Sequence, residues 1–530
     1  MTRKPIHATS IAVASAVLAL YGCGGNEETN HTPDISAIQN IVVIYAENRS
    51  FDNLYGRFPG ANGLQNASAA SKLQLDRNGQ PLATLPVVWG GLTLPAQSVT
   101  VTEAQTANMP NEPFSINDPA GLNVPLNIAT RDLYHRFYEN QMQIHGGKND
   151  MFTAWADSGG LVMGNYITSA DTLPLWKVAQ QYTLADNFFM GAFGGSFLNH
   201  QWLVCACTPT FPNALDTNAK TSVSAVEADN VTLTLDPKSP ASAMDGKPLF
   251  KNSGNLTPDL YAVNTMQPPY QPSGNAPATD GDPALADPNP SSGSTLPPQT
   301  ATHIGDLLDK ANVSWAWYGG AWGAALAARQ SGQWSTVTAG NLTAPNFQTH
   351  HQPFNYFADL APGTPGRAKH LLDGGMNGSG FIDAIDAGTL PQVAFYKPQG
   401  NLNEHAGYTD VASGDQHIAD VIAHLEKSPQ WKNMVVIVTY DENGGFWDHV
   451  APPKGDRWGP GSRIPALIVS PFAKKGFVDH TQYDTTSILR LITRRYSLPV
   501  LPGLSDRDAQ LKANGASPMG DLTGALDISL

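Results

Sequence analysis

Two acidic dipeptides stand just beyond strongly apolar runs. Ile41-Val42-Val43-Ile44-Tyr45 leads through Ala46 into Glu47-Asn48, and Met434-Val435-Val436-Ile437-Val438-Thr439-Tyr440 leads into Asp441-Glu442. Runs of this β-branched kind read as buried strands of a parallel sheet. Such sheets bind their ligands beyond the carboxyl ends of the strands. Two remote segments therefore deliver three carboxylates and one amide oxygen to one sheet edge. That oxygen-rich set suits one hard divalent cation, Mg²⁺, Ca²⁺ or Mn²⁺, with Zn²⁺ admitted if histidine joins. Read singly, Glu47 serves equally well as a helix cap, and Asp441-Glu442-Asn443-Gly444-Gly445 as a turn. The repetition at two strand ends favours the cation.

A candidate nucleophile lies in Gly194-Gly195-Ser196-Phe197-Leu198-Asn199-His200. The glycines let the backbone approach a ligand closely, and Ser196 falls at the cap or first turn of a helix. Free N–H groups and the positive dipole end suit a phosphate there. A serine hydroxyl attacks only if a base or a metal lowers its proton affinity, and the strand-end acids offer the metal. Taken alone, Gly-Gly-Ser is more often an ordinary cap. Histidines complete the set: adjacent His350 and His351, His405 in Asn403-Glu404-His405-Ala406-Gly407, and His135 on a helix expected over 131–143. They are candidates to hold phosphoryl oxygens or to protonate a departing alcohol. Lys148, in Gly146-Gly147-Lys148-Asn149-Asp150, is a candidate to neutralise developing charge. At least one of these histidines is expected to be structural, as are His145, His424 and His480. His449 is assigned neither role.

The elements that must position these groups alternate. Weaker strands are expected at Val393 to Tyr396 and Ala466 to Val469, and helices at 131–143, 196–206, 302–311 and 415–427. That order predicts an α/β domain with a mostly parallel central sheet flanked by helices. From 208 to 300 the chain is rich in Pro, Gly, Ser, Asn and Asp, with Pro-Pro pairs at 268–269 and 297–298. It reads as an irregular insertion ordered by docking over the site. The domain divisions expected are an export signal over 1–23, a polar tether over 24–37 and one domain over 38–530.

Composition narrows the function. A net charge of -14 excludes nucleic acid as the main partner. The three cysteines are Cys23, Cys205 and Cys207, too few for a disulfide scaffold or a thiolate cluster. Two buried thiols are expected at 205 and 207, since a bridge across one residue would be strained. Arg3 and Lys4 precede an apolar run from Ile11 to Leu20, shorter than the ~20 residues that span a bilayer, as in a bacterial export signal. Leu20-Tyr21-Gly22-Cys23 is similar to a lipoprotein cleavage box, with Tyr21 bulkier than usual. The expected address is the periplasm, the outer membrane as a lipoprotein, or outside the cell. Membrane contact is expected only through a lipid on Cys23.

In combination the motifs resemble those of the bacterial phosphoesterase family that holds respiratory-burst-type acid phosphatases and the phospholipases C. The likeness rests on Glu47-Asn48-Arg49-Ser50-Phe51-Asp52, Gly146 to Asp150, Gly194 to His200, His350-His351-Gln352-Pro353-Phe354-Asn355-Tyr356, and Tyr440-Asp441-Glu442-Asn443-Gly444-Gly445, and spans about 38 to 500. The resemblance implies an alkaline-phosphatase-like fold with one metal ion per site. By motif, Glu47, Asn48, Asp441 and Glu442 would be metal ligands, and Ser196 both ligand and nucleophile. His135, Lys148, His350, His351 and His405 would hold the phosphoryl group. Serine at the nucleophile position and His350-His351-Gln352-Pro353 look like the acid phosphatase branch, which implies small phosphomonoester substrates hydrolysed through a phosphoserine. The alternative is a phospholipase C or other phosphodiesterase. Outside that class stand a lipoprotein that binds phosphorylated ligands without turnover, and a cation that only braces the sheet edge.

Overall fold

Seven consecutive residues of the first strand, Asn40–Ala46 (β1), are buried, as the apolar run requires of a strand covered on both faces. The computed structural model describes residues 34–340 and 343–529. The other strands of its central sheet are β2 (Thr183–Phe189), β3 (Trp315–Gly320), β4 (Leu371–Gly375), β5 (Val393–Lys397), β6 (Met434–Tyr440), β7 (Arg463–Val469), β8 (Phe477–Asp479) and β9 (Tyr483–Asp484). They lie in the order β8-β2-β7-β6-β1-β5-β3-β4, with β9 also beside β2. Pairing is parallel except around β7, which runs against both β2 and β6. The expected fold class, α/β with a mostly parallel sheet, is the one observed. Strands β2, β3, β4, β8 and β9 are additions to the sequence reading.

The helices that answer to the four expected ones are α1 (Phe137–Ile144), α2 (Ser196–Cys205), α3 (Ile304–Lys310) and α4 (Val411–Lys427). α4 starts earlier than expected because the Asp410 side chain accepts Ser413 N–H at 2.7 Å and caps it there. α1 starts later, and His135 precedes it in extended chain. Arg136 is extended, φ -112° and ψ 158°, and Phe137 N–H donates to Asn264 Oδ1 at 3.0 Å instead of to a carbonyl one turn back, so the helix begins there. Residues 208–300 hold two short 3₁₀ turns, Ala214–Asp216 and Asn218–Ser222, and isolated bridges rather than longer elements.

Two expectations need correction. Cys205 and Cys207 are joined in a disulfide. Ala206 between them takes a left-handed conformation, φ 48°, which turns the chain and brings the two Cα atoms to 5.1 Å, inside the usual range for a bridge. The packed body also begins before residue 38. Asp34 bridges Ser529, and Ser36 O accepts from Arg495 at 3.0 Å. The export signal, Cys23 and tether residues 24–33 lie outside the described residues. Among the described residues no helix is long and apolar enough to cross a membrane.

Candidate active site

Strand register brings the acids together. Ala46 stands opposite Tyr440 in the β1–β6 pair, so Glu47 and Asp441 leave the sheet side by side, about 5 Å apart as neighbouring strands are. Asp441 N–H donates to Ala46 O at 3.1 Å, and Asn48 N–H donates to Asp441 Oδ1 at 3.1 Å. The two loops touch closely enough that a Cβ on Gly444 would lie 2.4 Å from Asn48 O. Only glycine fits that approach.

Ser196 reaches this cluster from the first turn of α2. Its Oγ–H points at Glu47 Oε2, 3.1 Å away, with Asn48 Oδ1 at 3.5 Å. The preceding residue, Gly195, packs against the extended segment that carries His135; a Cβ there would lie 2.6 Å from His135 O. Helix start, serine and histidine are thereby fixed to one another. Glu47, Asn48, Asp441 and Glu442 are all buried, and their partners are few. Asp441 Oδ2, Glu442 Oε1, His200 Nε2 and His351 Nε2 lack hydrogen bonds.

Burial first, then Asp441, pushes the Glu47 carboxyl well above its ordinary range, with Lys397 and the Ser196 hydrogen bond acting the other way. Glu442 is raised well above its ordinary range too, by burial and then by Asp441. Buried so close to Asp441, the carboxyls of Glu47 and Glu442 hold a charge most readily beside a cation. Orphaned oxygens on Asp441 and Glu442, next to Ser196, fit a hard divalent ion. With His200 and His351 so near, Zn²⁺ remains compatible.

In front of Ser196 opens a cavity of about 360 Å³, lined among others by Asp132, His135, Ser196, His350, His405 and Tyr408. His135 and His405 meet edge to face with ring centres 5.5 Å apart, and His405 stacks on Tyr408 at 4.2 Å. His135 Nε2 is 3.8 Å from Glu442 Oε1. His405 Nδ1 contacts Ala406 O, which leaves Nε2 for the cavity. Burial lowers the proton affinity of His350, to a pKa of about 3, with Lys397 and His135 adding to it. Burial does the same to His405, which is held well below the ordinary imidazole range.

His351 lies on the other side, its Nε2 3.0 Å from Glu47 Oε1. It joins the acids rather than the cavity lining. Lys148 is exposed and does not line the cavity; its loop packs towards Val450, whose carbonyl accepts from Asn149 at 3.0 Å. His145, His424 and His480 pair with Asp150, Asp386 and Asp186 at 2.7, 2.8 and 2.9 Å. His449 binds Asp52 at 2.6 Å inside a network closed by Arg463 and Asp448. The guanidinium fills the centre that a cation would need there.

Sequence reasoning missed two residues. His200 lies one helical turn after Ser196, so i,i+4 spacing puts it on the same face. Its Nδ1–H donates to Ser196 O at 2.7 Å, and its ring stacks on His351 at 5.1 Å. Lys397 is the last residue of β5, the position that singled out the acids of β1 and β6. Its ammonium bonds Glu47 Oε1.

An α/β sheet whose carboxyl edge sets a helix-start serine among buried acids, facing a histidine-lined cavity, is the architecture of a phosphoric ester hydrolase. Residues 38–499 match the Phosphoesterase family, and the chain belongs to it. It is similar to phospholipase C B of Mycobacterium tuberculosis, 24% identical over 100% of this chain and 86% of that one. It is also similar to the non-hemolytic phospholipase C of Burkholderia pseudomallei, 23% identical over 94% of this chain and 60% of that one. A solved structure of an alkaline phosphatase superfamily protein from Vibrio parahaemolyticus is 14% identical over 42% of this chain and 51% of that one, with a TM-score of 0.25. The relatives carry phospholipase C names, which favours the diesterase alternative over the acid phosphatase reading.

Proposed function

We propose that the chain cleaves phosphoric esters through a phosphoserine at Ser196, and that its substrates are phosphodiesters of the phospholipid head-group type. The observation that carries the chemistry is the Ser196 hydroxyl held 3.1 Å from Glu47 Oε2 at the mouth of the histidine cavity. With its proton directed at that carboxylate, the oxygen's lone pairs turn towards the cavity, where phosphorus enters. The Oγ–P bond forms as the ester P–O bond breaks. The hydroxyl proton has Glu47 Oε2 as its acceptor, and the departing oxygen draws a proton from the rings of His135, His350 and His405. A phosphoryl anion among them raises their proton affinity, so that one ring carries the proton the departing oxygen takes. In the second half a water takes the leaving group's place and gives its proton to one of these rings. The phosphoserine Oγ–P bond then breaks, and Ser196 Oγ takes back its proton from Glu47 Oε2. Free N–H groups at the start of α2 bind phosphoryl oxygens throughout. A divalent cation held by Glu47, Asn48, Ser196, Asp441 and Glu442 would supply Lewis-acid stabilisation of the charge on those oxygens.

The names of the relatives support the diester reading. One feature of the cavity favours the phosphomonoester reading instead: Phe197 and Tyr408 are the only large apolar side chains among its lining residues, the others being Gly195 and nine polar or charged groups. Side-by-side rates with p-nitrophenylphosphorylcholine and p-nitrophenyl phosphate decide. A kcat/KM at least tenfold higher on the choline diester is expected; the reverse ratio makes the enzyme a phosphatase, and no turnover of either after metal reconstitution removes the hydrolase mechanism.

A further inference from the structure

Glu47 uses its two oxygens for different partners. Oε2 accepts from Ser196, while Oε1 faces Lys397 and His351. On the Oε1 side, ligand atoms of Glu47, His200 and His351 all lie within 4.8 Å of one another. His200 is pinned there by its Nδ1–H bond to Ser196 O, which leaves Nε2 bare. One carboxylate oxygen and two ring nitrogens this close to one another are the kind of three-protein-ligand set that a catalytic zinc site uses. The carboxylate oxygen of that set already has a cation on it. Lys397, 1% exposed, puts its ammonium on Glu47 Oε1, 3.4 Å from Ala46 O and 5.2 Å from the centre of the Tyr45 ring.

We propose that Lys397 is a positioning residue that stands in for a second cation, its ammonium holding Glu47 Oε1, the oxygen His351 also faces, so that the site takes one divalent ion rather than two. The inference rests on the cation reading of the site under Proposed function. A lysine supplies a compact point charge at the end of a flexible stem, and a strand-end position lets that stem run inside the sheet edge. Two consequences follow. Glu47 Oε1 is withdrawn from metal binding, so Oε2 stays aimed at the serine. The two histidines are left out of coordination and wall the site.

The test counts metal and does not read hydrolysis. Metal-stripped protein is reloaded with Zn²⁺ or Co²⁺, dialysed, and assayed by atomic emission. Wild type should hold one equivalent. Lys397→Met and the near-isosteric Lys397→Gln should each hold two, with a second Co²⁺ absorption band set of four-coordinate type. Lys397→Met combined with His351→Ala should return to one, and Lys397→Arg should stay at one. Two equivalents in wild type overturn the proposal whether or not the variants fold, as does a single equivalent in both folded neutral variants. Zero equivalents in wild type remove the cation site itself and the proposal with it. An enzyme that bound one equivalent yet hydrolysed nothing would refute the proposed function and leave the Lys397 assignment standing.

Discussion

Gly195 sets the spacing between Ser196 and His135, so Gly195→Ala perturbs that distance with the least chemical change. The added Cβ would stand 2.6 Å from His135 O and 3.1 Å from its Cδ2, where ordinary contact begins at 3.4 Å. Backbone conformation contributes nothing to the penalty, because φ at Gly195 is -99°, which alanine adopts freely. The two segments must therefore separate by roughly 0.8 Å, since neither backbone is soft enough to absorb the clash as side-chain motion. A displacement near 1 Å from the reactive geometry lowers rates on the order of 10²-fold, about 2.7 kcal/mol of transition-state stabilisation. Overpacking also destabilises the fold by about 1–3 kcal/mol, small enough that the variant is folded at assay temperature.

The measurement is kcat/KM on a p-nitrophenyl ester at fixed metal loading, with Tm alongside. His135→Ala and the double variant complete a cycle. The clash is with the backbone oxygen of residue 135, so it persists after His135→Ala, but the imidazole that it misplaces is gone. The Gly195→Ala penalty should therefore shrink in that background, by about 0.5–3 kcal/mol of coupling. A Gly195→Ala enzyme within about threefold of wild type would refute the idea that this contact holds the site. Full additivity would show that His135 takes no part in the loss.

Ser196→Ala should lower kcat by on the order of 10⁴–10⁶-fold, as loss of a nucleophile does, with Tm little changed; residual activity near wild type ends the phosphoserine mechanism. His350, with its pKa near 3, is neutral in the fold but takes a proton in the unfolded chain below an ordinary 6.5. The unfolded state then binds more protons, so stability falls as pH drops from 6.5 towards 3, by at most about 1.4 kcal/mol per pH unit for this ring. His350→Gln isolates that contribution: between pH 7 and pH 4 its Tm should fall less than wild type's, and equal slopes would mean His350 is not held neutral. Lys148→Ala should leave kcat/KM within about twofold, surface changes remote from a site having small effects; a hundredfold loss would put that lysine back in the mechanism.

The acids were legible because β1 and β6 are uniformly apolar and both end at the functional edge. What the pattern did not reveal is that they are adjacent strands in matched register, a pairing across almost 400 positions of chain. Strand β2 was missed because Asp186 and Asn187 interrupt its apolar run; the structure accommodates Asp186 by pairing it with His480 and with Asn62 N–H. Lys397 obeyed the strand-end rule yet was passed over, since a lysine closing a strand ordinarily reaches for solvent. Its burial is decided by Glu47, a residue 350 positions away. Lys148 fails in the opposite sense: a glycine-rich loop with a lysine reads as phosphate-binding, but this loop faces away from the cavity.

These successes and failures divide along a physical line. Residues that must hold charge against repulsion, Glu47, Asp441, Glu442 and Lys397, sit at or just beyond the ends of parallel strands, where a rigid sheet fixes their separations. The other residues that line the cavity, among them His135, His405, Tyr408, Asn264 and Thr265, come from irregular chain, and His350 from a single 3₁₀ turn, Thr349–His351. Irregular segments can change shape without disturbing the sheet, because few of their backbone bonds belong to it. The same bond-making edge can thus serve esters with different alcohols, and the choice among them is made by the loops. A family match over 38–499 therefore speaks to how the ester is cleaved, while the diester or monoester preference is written in the walls around Ser196.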